Sequence, residues 1–285
     1  MSPQTSPAHN PTRHADSVFE RARFSGLIRS EWVKTASLPS TVLLLIGILA
    51  AGLGGSMFLA VTLESSGVPS VASLEQTVND VLSPMVILGQ IIAGIVGVMS
   101  IGAEYSSGSI QPTLIASPRR LPVLGAKTLV VFSIVTVVGL VTAFASWTAT
   151  YPFYAEHGLE ARLDAPGVLV AVLGSAAYLG LCAVFGVGIG TLLRSTTIGA
   201  VIVFVVTLLG PILASVLPYG LFSRVVRVLM LGNAGDAMSR VRDAPGPFLD
   251  IWTGHISAGA GWMIALAWTA LALTAGALAL MKRDA

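Results

Sequence analysis

Charge is what this 285-residue chain has least of: Asp, Glu, Lys and Arg make up only 11% of it, against about a quarter in an ordinary soluble domain. With 54% hydrophobic residues and a mean hydropathy of +0.82, the chain has too little charge to cover a water-facing surface. Cysteine is nearly absent as well. Cys182 stands alone inside an apolar run, which excludes an intrachain disulfide and suits a small buried hydrophobe better than a reactive thiol. No His-Glu-x-x-His or Gly-x-Ser-x-Gly occurs, and His157 and His255 fall in or beside loops. Neither a catalytic centre nor a metal site is therefore expected. The net charge is +2, but the basic residues are divided loop by loop, so they form no patch that would bind nucleic acid.

What is present is six apolar runs, at 38–61, 81–103, 121–147, 167–193, 198–217 and 259–281. A helix crosses roughly 30 Å of hydrocarbon with about 20 apolar residues, and every run is long enough. Lipid offers backbone amides no partner, which favours helices, and the alternating ~10-residue segments of a β-barrel are missing. The expected fold class is an all-α integral membrane protein whose six transmembrane helices fill 38–281.

Residues 1–17, punctuated by Pro3, Pro7 and Pro11, read as a disordered tail without the apolar core of a signal peptide, so this start is expected not to be cleaved. Residues 18–37 read as an amphipathic interfacial helix, an elbow before the first span. Phe24, Leu27, Ile28 and Trp32 recur on one face, and Arg21, Arg23, Arg29, Glu31 and Lys34 keep the remainder polar. Trp32 suits the interface and the basic residues suit anionic head groups, so membrane lipid is an expected partner. The helix serves either as a topology anchor or, in addition, as a contact for a cytoplasmic partner.

Orientation follows from Lys and Arg. Taking alternate loops, eleven basic residues fall on the side of the N-terminal tail and of Arg119, Arg120, Lys127, Arg194, Lys282 and Arg283, and five on the other. Both termini are thus expected in the cytoplasm. Four of the five dissenters, Arg224, Arg227, Arg240 and Arg242, lie in residues 218–258, a long external loop. There Leu221, Phe222, Val225, Val228 and Leu229 recur at helical spacing around Arg224 and Arg227. Two arginines in so short a run would cost about 2.5–3.5 kcal/mol each at the bilayer centre, so an interfacial or re-entrant helix is expected rather than a seventh span.

The cores of the runs hold no Asp, Glu, Lys, Arg or His; Glu104 and Lys127 lie near predicted ends. Ion-coupled carriers usually keep intramembrane carboxylates or matched broken helices, whereas Pro211 in the fifth run has no counterpart in the other half. Small residues at close-packing spacing, Gly47, Ala51 and Gly55 in the first run and Gly186 and Gly190 in the fourth, with Ala272 and Gly276 as a further pair, predict a compact bundle.

The connection after the second run is the most informative segment. Ile110, Leu114 and Ile115 alternate with Ser107, Ser109, Gln111 and Thr113, which fits a short helix lying across the membrane surface. Glu104 sits where the second helix leaves the membrane, free to pair with a basic group, and Pro118, Arg119 and Arg120 precede re-entry.

The pattern Glu104-Tyr105-x-x-Gly108-Ser109, then Leu114, Pro118-Arg119 and Lys127, resembles the permease subunits of ABC-2 type transporters, above all actinobacterial members. The elbow ending Ser30-Glu31-Trp32-Val33-Lys34, the six runs and the long last external loop match too. The 13 to 3 excess of Arg over Lys agrees with a GC-rich genome. Ser109 stands where Thr is common, and Gln111 where Arg or Lys is frequent, which puts one cytoplasmic charge contact in doubt.

The resemblance implies a permease subunit of an ATP-driven exporter in the bacterial plasma membrane. It would pair with a second permease, identical or related, and with two copies of a separate ATPase docked through the elbow and the first cytoplasmic loop. Glu31, Lys34, Glu104, Tyr105, Gly108, Ser109, Leu114, Pro118 and Arg119 would then carry the coupling. The chain has no Gly-x-x-x-x-Gly-Lys-Ser/Thr loop, so ATP and Mg would sit on the partner and no cofactor on this chain. The apolar runs favour a hydrophobic or amphipathic cargo. Two rivals remain: a secondary, ion-coupled transporter, whose transport would survive ATP depletion but not loss of the proton gradient, and a scaffold or sensor that copurifies with no ATPase.

Overall fold

The computed structural model describes residues 24–66, 73–106, 120–218, 220–241 and 246–282. Six helices in it are long and apolar enough to cross a membrane: Pro39–Val61, Leu74–Tyr105, Leu121–Ala155, Val168–Leu193, Thr196–Val216 and Ala258–Lys282, here the first to sixth spans. The chain is an all-α, multi-pass membrane protein. The second and third helices run about two turns past their expected outer ends, to Leu74 and Ala155. At 33 and 36 residues they exceed the hydrocarbon thickness and project from it. Their projecting ends are tied to the 159–161 connection, since Thr77 donates to Leu159 O at 2.8 Å and Trp147 Nε1 to Ala161 O at 2.7 Å.

The fourth span is the hub. In its most apolar window 78% of residues are buried, against 17% in the first span, which is therefore peripheral. Outward-facing Leu43, Phe58, Val137, Val216 and Leu271 clothe the bundle in the apolar surface that lipid requires. Small residues let the hub's neighbours close in. A side-chain carbon on Gly186 would stand 2.0 Å from Gly94 O of the second span, and one on Gly97 1.9 Å from Ala183 O. Gly190 abuts Val98 of the same span, whereas Gly188 turns to Ala272 of the sixth.

The expected first-span stripe makes its close approach at one member only. Gly55 abuts Pro84, whereas Gly47 meets only Ile92 at an ordinary 3.7 Å and Ala51 is half-buried. A second close approach, not expected, is at Gly52, against Thr142 and Met85. Cys182 is fully buried, as expected of a small hydrophobe.

The fifth span is broken. It is α-helical to Phe204, π-helical over Val205–Leu209, and resumes at Gly210–Val216. Pro211 has no N–H to offer the carbonyl one turn back, at Thr207. Against that carbonyl packs Gly232, where a Cβ would lie 2.0 Å from Thr207 O.

Gly232 belongs to the stretch expected as an external loop. That stretch holds two helices, an exposed amphipathic one (Leu221–Leu229) and a buried one (Leu231–Met238), followed by a two-stranded antiparallel ribbon pairing Leu249 with Ile256. The second helix inserts among the spans. Leu231, Ala234 and Ala237 are fully buried, Gly235 abuts the Tyr178 ring, and Trp268 Nε1 donates to Leu229 O at 2.7 Å. Tyr178 and Trp268 lie about ten residues into their spans, so the pair dips into the bundle as a re-entrant hairpin. Arg227 anchors it without exposing its charge to lipid alone: the guanidinium donates to Ala214, Ser215 and Leu217 carbonyls, capping the end of the fifth span.

Candidate functional site

Two lysines of a chain that has three meet at the elbow end of the bundle. Lys127 enters two turns into the third helix and is 3% exposed. A lysine so buried needs carboxylates, and two arrive from different elements. Glu31 of the elbow helix (Phe24–Ser37) lies 2.5 Å from Lys127 Nζ, and Glu104 of the second span 3.1 Å away. Ser100 O accepts a third bond at 2.9 Å. Lys34 closes the ring, 3.1 Å from Glu31 and 3.2 Å from Glu104. Burial works against the Lys34 ammonium, but the Glu104 and Glu31 carboxylates outweigh it and hold its pKa above the ordinary 10.5. The four charges cancel, and together they lock the elbow to the second and third spans.

This knot also sets the roll of the elbow. Leu27 and Ile28 face inward in part, while Phe24 and Trp32, expected with them on the face toward the membrane interface, are 49% and 50% exposed. Glu31, expected on the polar side, is 3% exposed. Turning Glu31 away would strand Lys127, at about 3–5 kcal/mol for a buried pair, whereas aromatic rings facing an interface lose little.

Tyr105 extends the site sideways. The Arg194 guanidinium lies 5.1 Å over its ring, joining the end of the second span to the end of the fourth, which Arg194 closes in a left-handed turn (φ 53°). Of the expected coupling residues, Glu31, Lys34, Glu104 and Tyr105 therefore gather at one end of the bundle. Gly108, Ser109, Leu114, Pro118 and Arg119 lie outside the described residues.

Lys127 belongs to the motif that carries the resemblance but was not counted among the coupling residues, although a lysine seven residues into an apolar helix carries its own demand for a carboxylate. A second polar centre was missed altogether. Gln90 and Tyr178, both buried, meet at 2.5 Å, and the Tyr178 hydroxyl also lies 3.0 Å from Leu231 O of the re-entrant helix. Asn233 donates to Arg227 O at 2.5 Å, fixing the turn between the hairpin's helices. Beside it a cavity of about 410 Å³ is lined by Gln90, Thr207, Pro211, Asn233 and Asp236 among others. A glutamine and a tyrosine inside apolar runs were the available signal.

The described residues contain no group of three or more potential metal ligands. Compared with known proteins, the chain matches no family model and no curated relative.

Proposed function

We propose that this chain is the permease subunit of an ATP-driven ABC-2 type exporter, working with a second permease and two copies of a separate ATPase in the bacterial plasma membrane, both termini cytoplasmic. The observation that carries the reading is the ion knot. Glu104 precedes the connection from the second to the third span, Lys127 follows it, and Glu31 and Lys34 bring the elbow to the same point. A push on that connection by an ATPase would reach two spans and the elbow together, tilting them as one body. Closure of the ATPase pair would then shift the pathway between inward- and outward-open states.

Gln90, Tyr178 and Thr207, which hold the middle of the bundle, are neutral, and Asp236 at the edge of the neighbouring cavity is paired with Arg240, which favours an ATP-driven permease over a proton-coupled carrier. The neutral, largely apolar interior favours a hydrophobic or amphipathic cargo.

The test is affinity purification of the full chain from its native membrane, followed by ATP hydrolysis in proteoliposomes. The expected result is copurification of a protein with a phosphate-binding loop, and substrate-stimulated hydrolysis that Glu104→Gln reduces while the complex stays assembled. Recovery of the folded chain with no ATPase, or transport driven by a proton gradient after ATP depletion, overturns the proposal.

A further inference from the structure

Beneath the knot, where the elbow turns into the first span, lies a cavity of about 360 Å³ lined by Lys34, Leu38, Thr41, Met99, Glu104 and Lys127 among others. Its volume falls within the range of small-ligand sites, and its chemistry is divided. It offers donors. Lys34 is 39% exposed and spends two of its three N–H bonds on Glu31 and Glu104, leaving one. Thr41 is only 7% exposed, yet its hydroxyl has no hydrogen-bond partner among the described residues. It sits in the first turn of the 23-residue first span, whose N-cap residue Leu38 supplies no side-chain cap. Pro39 has no N–H and Val42 N is bonded to Leu38 O, which leaves the N–H groups of Ser40 and Thr41, with the helix dipole, to favour an anion there.

Beside Lys34, 3.2 Å from its ammonium, Glu104 offers an acceptor. Both contacts that Glu104 makes with lysine go through Oε1, which leaves Oε2 for a further donor. Because the four side-chain charges already cancel, a ligand with net charge would leave one uncompensated, whereas a zwitterion would not. Leu38 and Met99 continue the cavity as an apolar exit, and Leu38 is 42% exposed at the bundle's surface.

The geometry points to a binding site for an aminoethyl phosphate unit, carried by a phosphatidylethanolamine-type membrane lipid. Its phosphate faces Lys34, Thr41 and the start of the first span, its ammonium faces Glu104, and its acyl chains leave past Leu38 and Met99. The lipid thereby wedges the elbow against the second span. The inference stands apart from the exporter reading, since it needs only the cavity and a bilayer.

The full chain, delipidated in detergent, is titrated with short-chain phosphatidylethanolamine, phosphatidylcholine, phosphatidylglycerol and soluble phosphoethanolamine, with bound mass read by native mass spectrometry and folding by thermal melting. Phosphatidylethanolamine is expected to bind about ten- to a hundredfold more tightly than phosphatidylcholine, whose quaternary ammonium has no N–H for Glu104. Phosphatidylglycerol, with net charge, also binds more weakly. Thr41→Val weakens binding about three- to tenfold by removing one hydroxyl, and Thr41→Leu, which fills the cavity, abolishes it. Lys34→Gln, on the exposed side of the knot, gives a second route if Thr41→Leu fails to fold, and is expected to weaken binding about tenfold. Displacement by soluble phosphoethanolamine assigns the unit to a free solute as well as a lipid; displacement by lipid alone assigns it to the membrane. Equal retention of phosphatidylethanolamine and phosphatidylcholine, or unchanged retention in folded Thr41→Leu or Lys34→Gln, overturns the site.

Discussion

At the elbow end, Glu31, Lys34, Glu104 and Lys127 meet as ions; fourteen residues back along the same second span, about 21 Å at 1.5 Å per residue, Gln90 meets Tyr178 as a neutral pair. The first ties the second and third spans to the elbow; the second ties the second span to the fourth and, through the Tyr178 hydroxyl, the fourth to the re-entrant helix. The physics differs. The ionic knot sits where the helices leave the apolar region, so charge is tolerable if every ion is paired, and once formed it resists rearrangement because any broken pair leaves a buried charge. The neutral knot lies where a charge would be far more costly, and its hydrogen bonds are individually modest, so it holds the re-entrant helix with a weaker grip. The division leaves a stiff joint at the elbow end and a looser one in the middle of the bundle.

Removing one ion should produce the largest effect. Lys127→Met leaves Glu31 and Glu104 facing each other without their buried cation and is expected to cost about 3–5 kcal/mol, read as the change in unfolding free energy in detergent micelles. Adding Glu31→Met should recover part of that loss; a single-variant loss below about 1 kcal/mol would mean the knot behaves like a solvated surface pair. Next comes the seam that connects the two knots. Gly186→Ala places a carbon 2.0 Å from Gly94 O, so the second and fourth spans must separate, at about 1–3 kcal/mol.

Tyr178→Phe should cost less, about 0.6–1.7 kcal/mol for hydrogen bonds within a membrane protein. It should also loosen the re-entrant helix, seen as faster hydrogen exchange over residues 231–238 with the elbow unchanged. Alkaline pH probes the ionic knot alone through Lys34. Its pKa is raised in the folded chain, so the stability it adds is fully present below 10.5 and fades as pH climbs through the raised value. Melting temperature should fall in that window, and Lys34→Met should flatten the dependence. Gly47→Ala closes the series, with a change within about 0.5 kcal/mol because its neighbour is at normal contact distance.

Much of the architecture was legible because lipid imposes a one-dimensional rule: a run of about 20 apolar residues with few charges has little choice but to span. All six helix ends on the elbow side were placed within three residues on that basis alone. The outer ends of the second and third helices were not, since Leu74–Asp80 and Thr148–Ala155 carry polar residues that hydropathy reads as loop while side-chain bonds to Leu159 and Ala161 keep their neighbourhood helical and packed. Glu31, Lys34 and Glu104 were legible as a group, though not as a ring. The burial of Glu31 was not legible, because the elbow's own spacing puts it with the polar residues and only a distant lysine calls it inward.

The amino-acid sequence by itself determined the class of protein and the number of spans, because the cost of burying polar groups in hydrocarbon acts on each residue locally. Only the tertiary structure decided which charges meet, that Gly186 rather than Gly47 forms a tight seam, and that residues 231–238 turn back into the bundle. Those outcomes depend on contacts between segments as much as 96 residues apart, as between Glu31 and Lys127, and no local pattern records which distant partner will satisfy a buried ion.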